Sequence, residues 1–268
     1  MNLRLRIVSG AALLAVLSAA LWVGTPAAAA LVAIAAVLAA WEYSALLGRS
    51  GRRPPAWLLY PLTVWLALRL VFPAAYQDVQ WPLLAAVAVG LPAVVVLRTG
   101  VERWAAALAG GVYVGFSLGF YLALLLWHPA DTEHFGLRLV VLVLLGVMAC
   151  DTVAYFAGSA FGRRPFFPSI SPRKTVEGAL AGAVAAIVVG AAAGPALTGI
   201  GAAAGAGMGA LIAVAAQAGD LVESAIKRQA GVKESSGLIP GHGGLLDRVD
   251  SLLLVGPVVY CYLRLIAF

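Results

Sequence analysis

The run Leu139–Cys150, LVVLVLLGVMAC, holds no charged residue, and Asp151 follows it directly. A spanning helix needs roughly 20 mainly apolar residues. This run therefore reads as the body of one, with Asp151 inside the span. A carboxylate at that depth is costly and requires a partner. The rest of the chain is of the same kind. Its 268 residues are 62% hydrophobic and 11% charged, with a mean hydropathy of +0.96. Soluble domains run near half apolar and a quarter charged, so a water-soluble fold is excluded and the bilayer becomes the solvent.

Outward from that run, the chain reads as an all-α, polytopic transmembrane helical bundle of about nine spans. They begin near Ile7, Pro26, Trp57, Trp81, Ala105, Leu137, Gly178, Ile200 and Asp250. Arg4 and Arg6 ahead of the first apolar stretch resemble a signal peptide. A second span follows at once, and the first is read as a retained helix. Lys+Arg number 18 against Asp+Glu 12, and their placement decides orientation. With the N-terminus in the cytoplasm, the inner loops carry Arg49, Arg52, Arg53, Arg98, Arg103, Arg163, Arg164, Arg173, Lys174, Lys227, Arg228 and Lys233. The outer connections at Gly24-Thr25, Pro73–Gln80, His128–Gly136 and Thr198-Gly199 carry no Lys or Arg. Arg69, Arg138 and Arg264 are the exceptions, near outer span ends. The C-terminus is expected outside.

Residues 1–136 read as a lipid-embedded scaffold. There Glu42, Arg69 and Glu102 are isolated charges, read as helix-end or packing groups. Residues 137–268 read as the catalytic region, with cytoplasmic loops 162–177 and 227–247. Cys150 and Cys261 lie in apolar runs and read as small packing residues without a disulfide or zinc pattern. Glycines at four-residue spacing, Gly178/Gly182, Gly190/Gly194 and Gly201/Gly205/Gly209, read as close helix contacts in lipid.

Two polar clusters break the apolar pattern. The first runs from Asp151 through Arg163-Arg164 to Ser169, Ser171, Arg173, Lys174, Thr175 and Glu177. Hydroxyls and cations at the opening of a helix suit a phosphate; the alternative is a basic loop with an ordinary helix cap. The second runs from Gln217 through Asp220, Glu223, Ser224, Lys227, Arg228, Lys233 and Glu234 to Pro240-Gly241-His242-Gly243-Gly244, Asp247, Arg248, Asp250 and Ser251. Asp220, Glu223, Ser224 and Lys227 share a helix face by spacing, as do Asp247 and Asp250. A return through the glycine-rich loop is expected to bring Asp220 and Asp247 together. Few carboxylates among many polar neighbours suit Mg²⁺, which fills its remaining positions with water and phosphate oxygens. A solvated loop with helix-end ion pairs is the bland alternative. His242 reads equally as a ligand contact, a proton donor or a structural hydrogen-bonder.

This second cluster resembles the signature of the phosphatidate cytidylyltransferases, or CDP-diacylglycerol synthases. The residues carrying the resemblance are Ser224, Lys227-Arg228, Lys233-Glu234, Pro240 to Gly244, Asp247-Arg248 and Asp250-Ser251. Asp151, Ala154-Tyr155-Phe156 and Ser171 to Gly178 are similar to the same family. Glu234 departs from the family's usual Asp. The resemblance implies that CTP and phosphatidate give CDP-diacylglycerol and pyrophosphate, within phospholipid biosynthesis. It implies Mg²⁺, with a second cation such as K⁺, at Asp220 and Asp247, with Asp250 a weaker ligand. It implies catalytic roles for Asp220, Asp247, Lys227 and His242. Substrate contacts are expected at Asp151, Ser171, Arg173, Lys174, Thr175, Ser224, Arg228, Lys233 and Arg248. A cytoplasmic-facing site in the cell membrane and a homodimer are expected, with membrane lipids as surroundings and no nucleic-acid partner. The rival readings are a CTP- or ATP-dependent kinase of a polyprenol-type lipid and an ion-coupled transporter.

Overall fold

The computed structural model describes residues 3–72, 78, 80–128 and 134–266. Regular structure among them is helical, apart from two isolated bridges, Pro165 with Thr175 and Ile239 with Gly243. The α-helices are α1 Leu3–Val23, α2 Thr25–Arg49, α3 Ala56–Leu68, α4 Gln80–Ala88, α5 Gly90–Leu97, α6 Val101–Gly110, α7 Ser117–Leu125, α8 Phe135–Phe161, α9 Val176–Thr198, α10 Ala202–Gln229 and α11 Leu246–Ile266.

Among the described residues, eight helical segments are long and apolar enough to cross a membrane. Two of them are composite. Gln80–Leu97 joins α4 to α5, and Val101–Leu125 joins α6 to α7 through a π-helical turn at Gly111–Phe116. The span expected from Trp57 is shorter: α3 and a 3-10 turn at Arg69–Val71 make one apolar segment, Ala56–Val71. The expected polytopic helical membrane protein is thus what the chain forms. The expected outer connections Pro73–Gln80 and His128–Gly136 lie largely outside the described residues.

The helices form because backbone N–H and C=O groups in lipid must be satisfied within the segment. Their starts sit where the sequence supplies the chemistry. Pro26 occupies the first turn of α2 after Gly24. Thr175 caps α9, its Oγ1 accepting from the Gly178 N–H at 3.2 Å; such a cap is worth about 1 kcal/mol.

The chain divides into two compact units, Met1–Leu122 with Ile226–Val249, and Ala123–Ala225 with Asp250–Phe268. In the first unit, Leu46, Leu59, Leu66 and Leu122 are almost wholly buried. Their contacts are tightened by Gly115, whose Cα faces the Thr63 backbone. Polar tips find main-chain acceptors: Tyr43 Oη donates to Ala106 O at 3.1 Å and Trp104 Nε1 to Ala86 O at 3.0 Å. Arg69 is buried, donates to Leu66 O at 2.6 Å and stacks over Phe116 and Phe120. It is a packing group.

In the second unit α9 is the centre. Gly178 and Gly182 lie against the main chain of α8 at Ala154 and Cys150. Gly190 and Gly205 meet main chain to main chain, and Gly209 meets Ala186. The small-residue spacing does mark close contacts, except at Gly201, which has nothing within 4 Å. Helices that touch at their backbones gain packing and weak Cα–H···O contacts, since lipid supplies no hydrophobic drive between them.

Candidate functional site

The second unit gathers the first polar cluster. After α8, the chain turns at Gly162 and runs through a closed loop. Phe166 N donates to Lys174 O at 2.8 Å, and Val176 N donates to Arg164 O at 2.9 Å. The Glu177 carboxylate accepts from the N–H groups of Arg163 and Arg164 at 3.0 and 3.2 Å. The loop is thereby fastened to the start of α9. This fastening aims Lys174 inward: its Nζ lies 2.5 Å from Asp220 Oδ2, with the two side chains 27% and 32% exposed. Asp220 Oδ1 accepts from Ser224 Oγ at 3.2 Å, one helical turn along α10. Gln217, a turn earlier, donates to Ala179 O at 3.0 Å and so ties α10 to α9. Gly219 faces the Asp250 carbonyl so closely that a Cβ there would collide with it. The structure therefore brings Lys174, Asp220 and Ser224 together, and sets the α10 backbone beside Asp250.

Asp151 is exposed on α8. Asp250 is half-buried and accepts from the Ser251 N–H at 2.7 Å. Ser171 is half-buried and Arg173 exposed on the same loop. Thr175 commits an oxygen lone pair to its cap. A 440 Å³ cavity lies at the turn, lined by Phe161, Arg163, Arg164 and Glu177 with Ala160 and Gly162.

The first unit holds the middle of the second cluster, from Lys227 to Arg248. Ile239-Pro240-Gly241-His242 closes a turn, with His242 N donating to Ile239 O at 2.9 Å. Pro at the second position and Gly at the third, with φ +77°, are what a type II turn requires. Gly244 is also needed small: a Cβ there would strike Ser235 Oγ and the Glu42 carboxylate. The return places Asp247 in the first turn of α11, 9% exposed. Its Oδ1 accepts from Lys227 Nζ at 2.6 Å. Its Oδ2 accepts from Ser235 N at 2.9 Å, Ser235 Oγ at 2.8 Å and Gly244 N at 2.8 Å. Negative charge at a helix N-terminus is favoured by the helix dipole.

His242 Nδ1 lies 2.7 Å from Ser9 Oγ on α1. Burial, then the nearby Arg248 and Arg6, push its pKa below the ordinary 6.5. Of its three readings, the structural hydrogen bond is the one with a partner in view. Arg228, Lys233 and Arg248 are exposed.

Sequence reasoning missed Glu42. It is fully buried on α2. It accepts from Ser235 Oγ at 3.1 Å, Ser236 Oγ at 2.5 Å, Leu245 N at 2.9 Å and Leu246 N at 2.5 Å. A clue lay in the sequence: a carboxylate inside an apolar span needs a partner. Nothing local pointed to one some 200 residues away.

Magnesium, the implied cofactor, needs carboxylate oxygens with lone pairs to spare. Asp220 fits, being partly open and held by one ammonium and one hydroxyl. Asp247 fits through Oδ1, where Lys227 already shows that positive charge is accepted. Among the described residues no three His, Cys, Asp or Glu side chains form a metal-ligating group.

A sequence profile of the Cytidylyltransferase family matches residues 4–266. Among similar proteins, a phosphatidate cytidylyltransferase of Brucella abortus biovar 1 (strain 9-941) is 41% identical over 159 residues, 58% of this chain and 55% of that one. A phosphatidate cytidylyltransferase of Bacillus subtilis (strain 168) is 33% identical over 171 residues, 58% of this chain and 56% of that one. The chloroplastic phosphatidate cytidylyltransferase 5 of Arabidopsis thaliana is 45% identical over 131 residues, 48% of this chain and 33% of that one. The chain spans about half the length of the bacterial relatives it matches.

Proposed function

This chain belongs to the cytidylyltransferase family, and from that premise we propose that it condenses CTP with phosphatidate to give CDP-diacylglycerol and pyrophosphate. The observation that carries the reading is a pair of acids, Asp220 and Asp247, each engaged by a lysine at the polar end of an otherwise apolar helix. A nucleotidyl transfer to a lipid phosphate needs such groups and needs no Ser, Cys or His nucleophile.

An oxygen of the phosphatidate phosphate attacks the α-phosphorus of CTP. That P–O bond forms, the bridging bond to the β-phosphate breaks, and pyrophosphate leaves with the electron pair. The work of the protein is positioning and charge neutralisation. Mg²⁺, assigned to Asp220 and Asp247 with Asp250 a weaker ligand, supplies Lewis-acid stabilisation of phosphate oxygens when bound. Lys174 and Lys227 offer ammonium groups to phosphate oxygens. Arg173, Arg228, Lys233 and Arg248 attract the anionic substrates, and Ser171, Thr175 and Ser224 supply hydroxyl donors. Asp151 is assigned to the same substrate surface.

The reaction is placed at the cytoplasmic leaflet of the cell membrane, where water-borne CTP meets lipid-borne phosphatidate. The excess of Lys and Arg in alternate loops supports that side. Basic loops there also attract anionic headgroups. A homodimer and a second cation such as K⁺ belong to the same reading.

The test is purified full-length protein with α-labelled CTP, phosphatidate in mixed micelles and MgCl₂, followed by lipid extraction. Label in a CDP-lipid together with pyrophosphate release is expected. CDP and a newly phosphorylated lipid alcohol would instead establish a kinase.

A further inference from the structure

Glu42 lies outside both polar clusters, yet it holds the second one in place. Its carboxylate is fully buried and meets four donors from a loop 193 to 204 positions along the chain. A carboxylate taken out of water is tolerated where its oxygens find donors, and here they do. Two of the donors, the N–H groups of Leu245 and Leu246, stand at the start of α11. Such groups have no partner inside their own helix. Glu42 therefore caps α11 from another helix. Asp247 is the next residue.

The hydroxyl of Ser235 joins the two acids. It lies 3.1 Å from Glu42 Oε2 and 2.8 Å from Asp247 Oδ2. A hydroxyl has one proton to donate, so it serves one acid at a time. Asp247 keeps two backbone donors on that oxygen in either case, Ser235 N and Gly244 N. Its other oxygen faces Lys227. Removing Glu42 would release Ser236 and the first N–H groups of α11. The loop from Ser235 to Leu246 would lose its anchor to α2.

We infer that Glu42 is a positioning residue for Asp247 and Lys227, acting through Ser235 and the N-terminus of α11. The inference rests on the transfer reaction proposed above, and its test has a readout that does not. Full-length wild type, Glu42→Gln and Ser236→Ala are purified and compared in three ways. They are steady-state turnover, the thermal shift on adding CTP with MgCl₂, and amide hydrogen exchange over residues 235–247. Glu42→Gln keeps the side chain's size but turns one acceptor into a donor, so it cannot satisfy both Leu245 and Leu246.

The expected result is a tenfold or greater fall in kcat with KM for phosphatidate changed less than threefold. Half-saturation in Mg²⁺ should rise, and exchange at Gly244–Asp247 should quicken at least tenfold while α8 and α9 exchange as in wild type. Ser236→Ala, which deletes a single donor, should shift exchange in the same direction by a smaller factor. It stands in should Glu42→Gln fail to accumulate. A wild type that makes no CDP-lipid would overturn the reaction. The positioning role would then stand on faster loop exchange and a lost CTP/MgCl₂ shift in Glu42→Gln. Wild-type kcat, Mg²⁺ dependence and loop exchange in the folded variants would overturn the positioning role itself. A lower melting temperature with unchanged kcat and Mg²⁺ dependence would do the same, since it marks a purely structural contact.

Discussion

Lys174 Nζ, from the loop that joins α8 to α9, lies 2.5 Å from Asp220 Oδ2 on α10, with the two side chains 27% and 32% exposed. Lys227 and Asp247 form a pair of similar length, 2.6 Å, but with side chains 14% and 5% exposed. The same chemistry in two degrees of burial separates function from stability, and the predictions begin there.

Asp220→Asn should cost little stability. An exposed ion pair is worth about 0–1 kcal/mol. Turnover should fall by on the order of 10²–10³, the loss typical of removing a group that stabilises developing charge. Melting curves and labelled CDP-lipid yield measured on the same preparation check both halves. Near-normal synthesis would remove Asp220 from the cation assignment.

Asp247→Asn should lose turnover and stability together. It replaces an acceptor held by Lys227, Ser235 and Gly244 with a group that also donates. Breaking a buried pair costs about 3–5 kcal/mol. Lys227→Met should cost a similar amount, and the double variant less than the sum, because neither charge is then left alone. A strictly additive double-mutant cycle in unfolding free energy would show that the two groups are not coupled.

Glycine substitutions along one apparent stripe should split. Gly209→Ala pushes a methyl into the main chain at Ala186, and overpacking costs about 1–3 kcal/mol. Gly201→Ala meets nothing within 4 Å and should stay within about 0.5 kcal/mol. Thermal melts in one detergent decide it; equal effects would refute the contact.

His242 should make the fold sensitive to mild acid. Burial beside Arg248 and Arg6 holds its folded pKa below 6.5. The unfolded chain therefore takes up the proton first as pH falls through about 6.5. Stability is unaffected above that value, declines below it, and levels off once the folded histidine is also protonated. His242→Asn should flatten this part of the melting-temperature profile relative to wild type. Parallel profiles would refute it.

Much of this was legible in the residues themselves. Apolar run lengths specified the membrane helices, because lipid forces each spanning segment to close its own hydrogen bonds. The shortfall was at Ala56–Val71, where Pro61 lies within an apolar segment shorter than the others. The Pro-Gly-His-Gly-Gly turn follows from local backbone chemistry, so its residues named it in advance. What the folded chain alone decided was pairing at a distance. Nothing near Glu42 tells that it serves Ser235, Ser236, Leu245 and Leu246, and nothing near Lys174 tells that it meets Asp220. Such pairs depend on which helices pack together. A buried charge needs a partner, and only the tertiary structure decides whose.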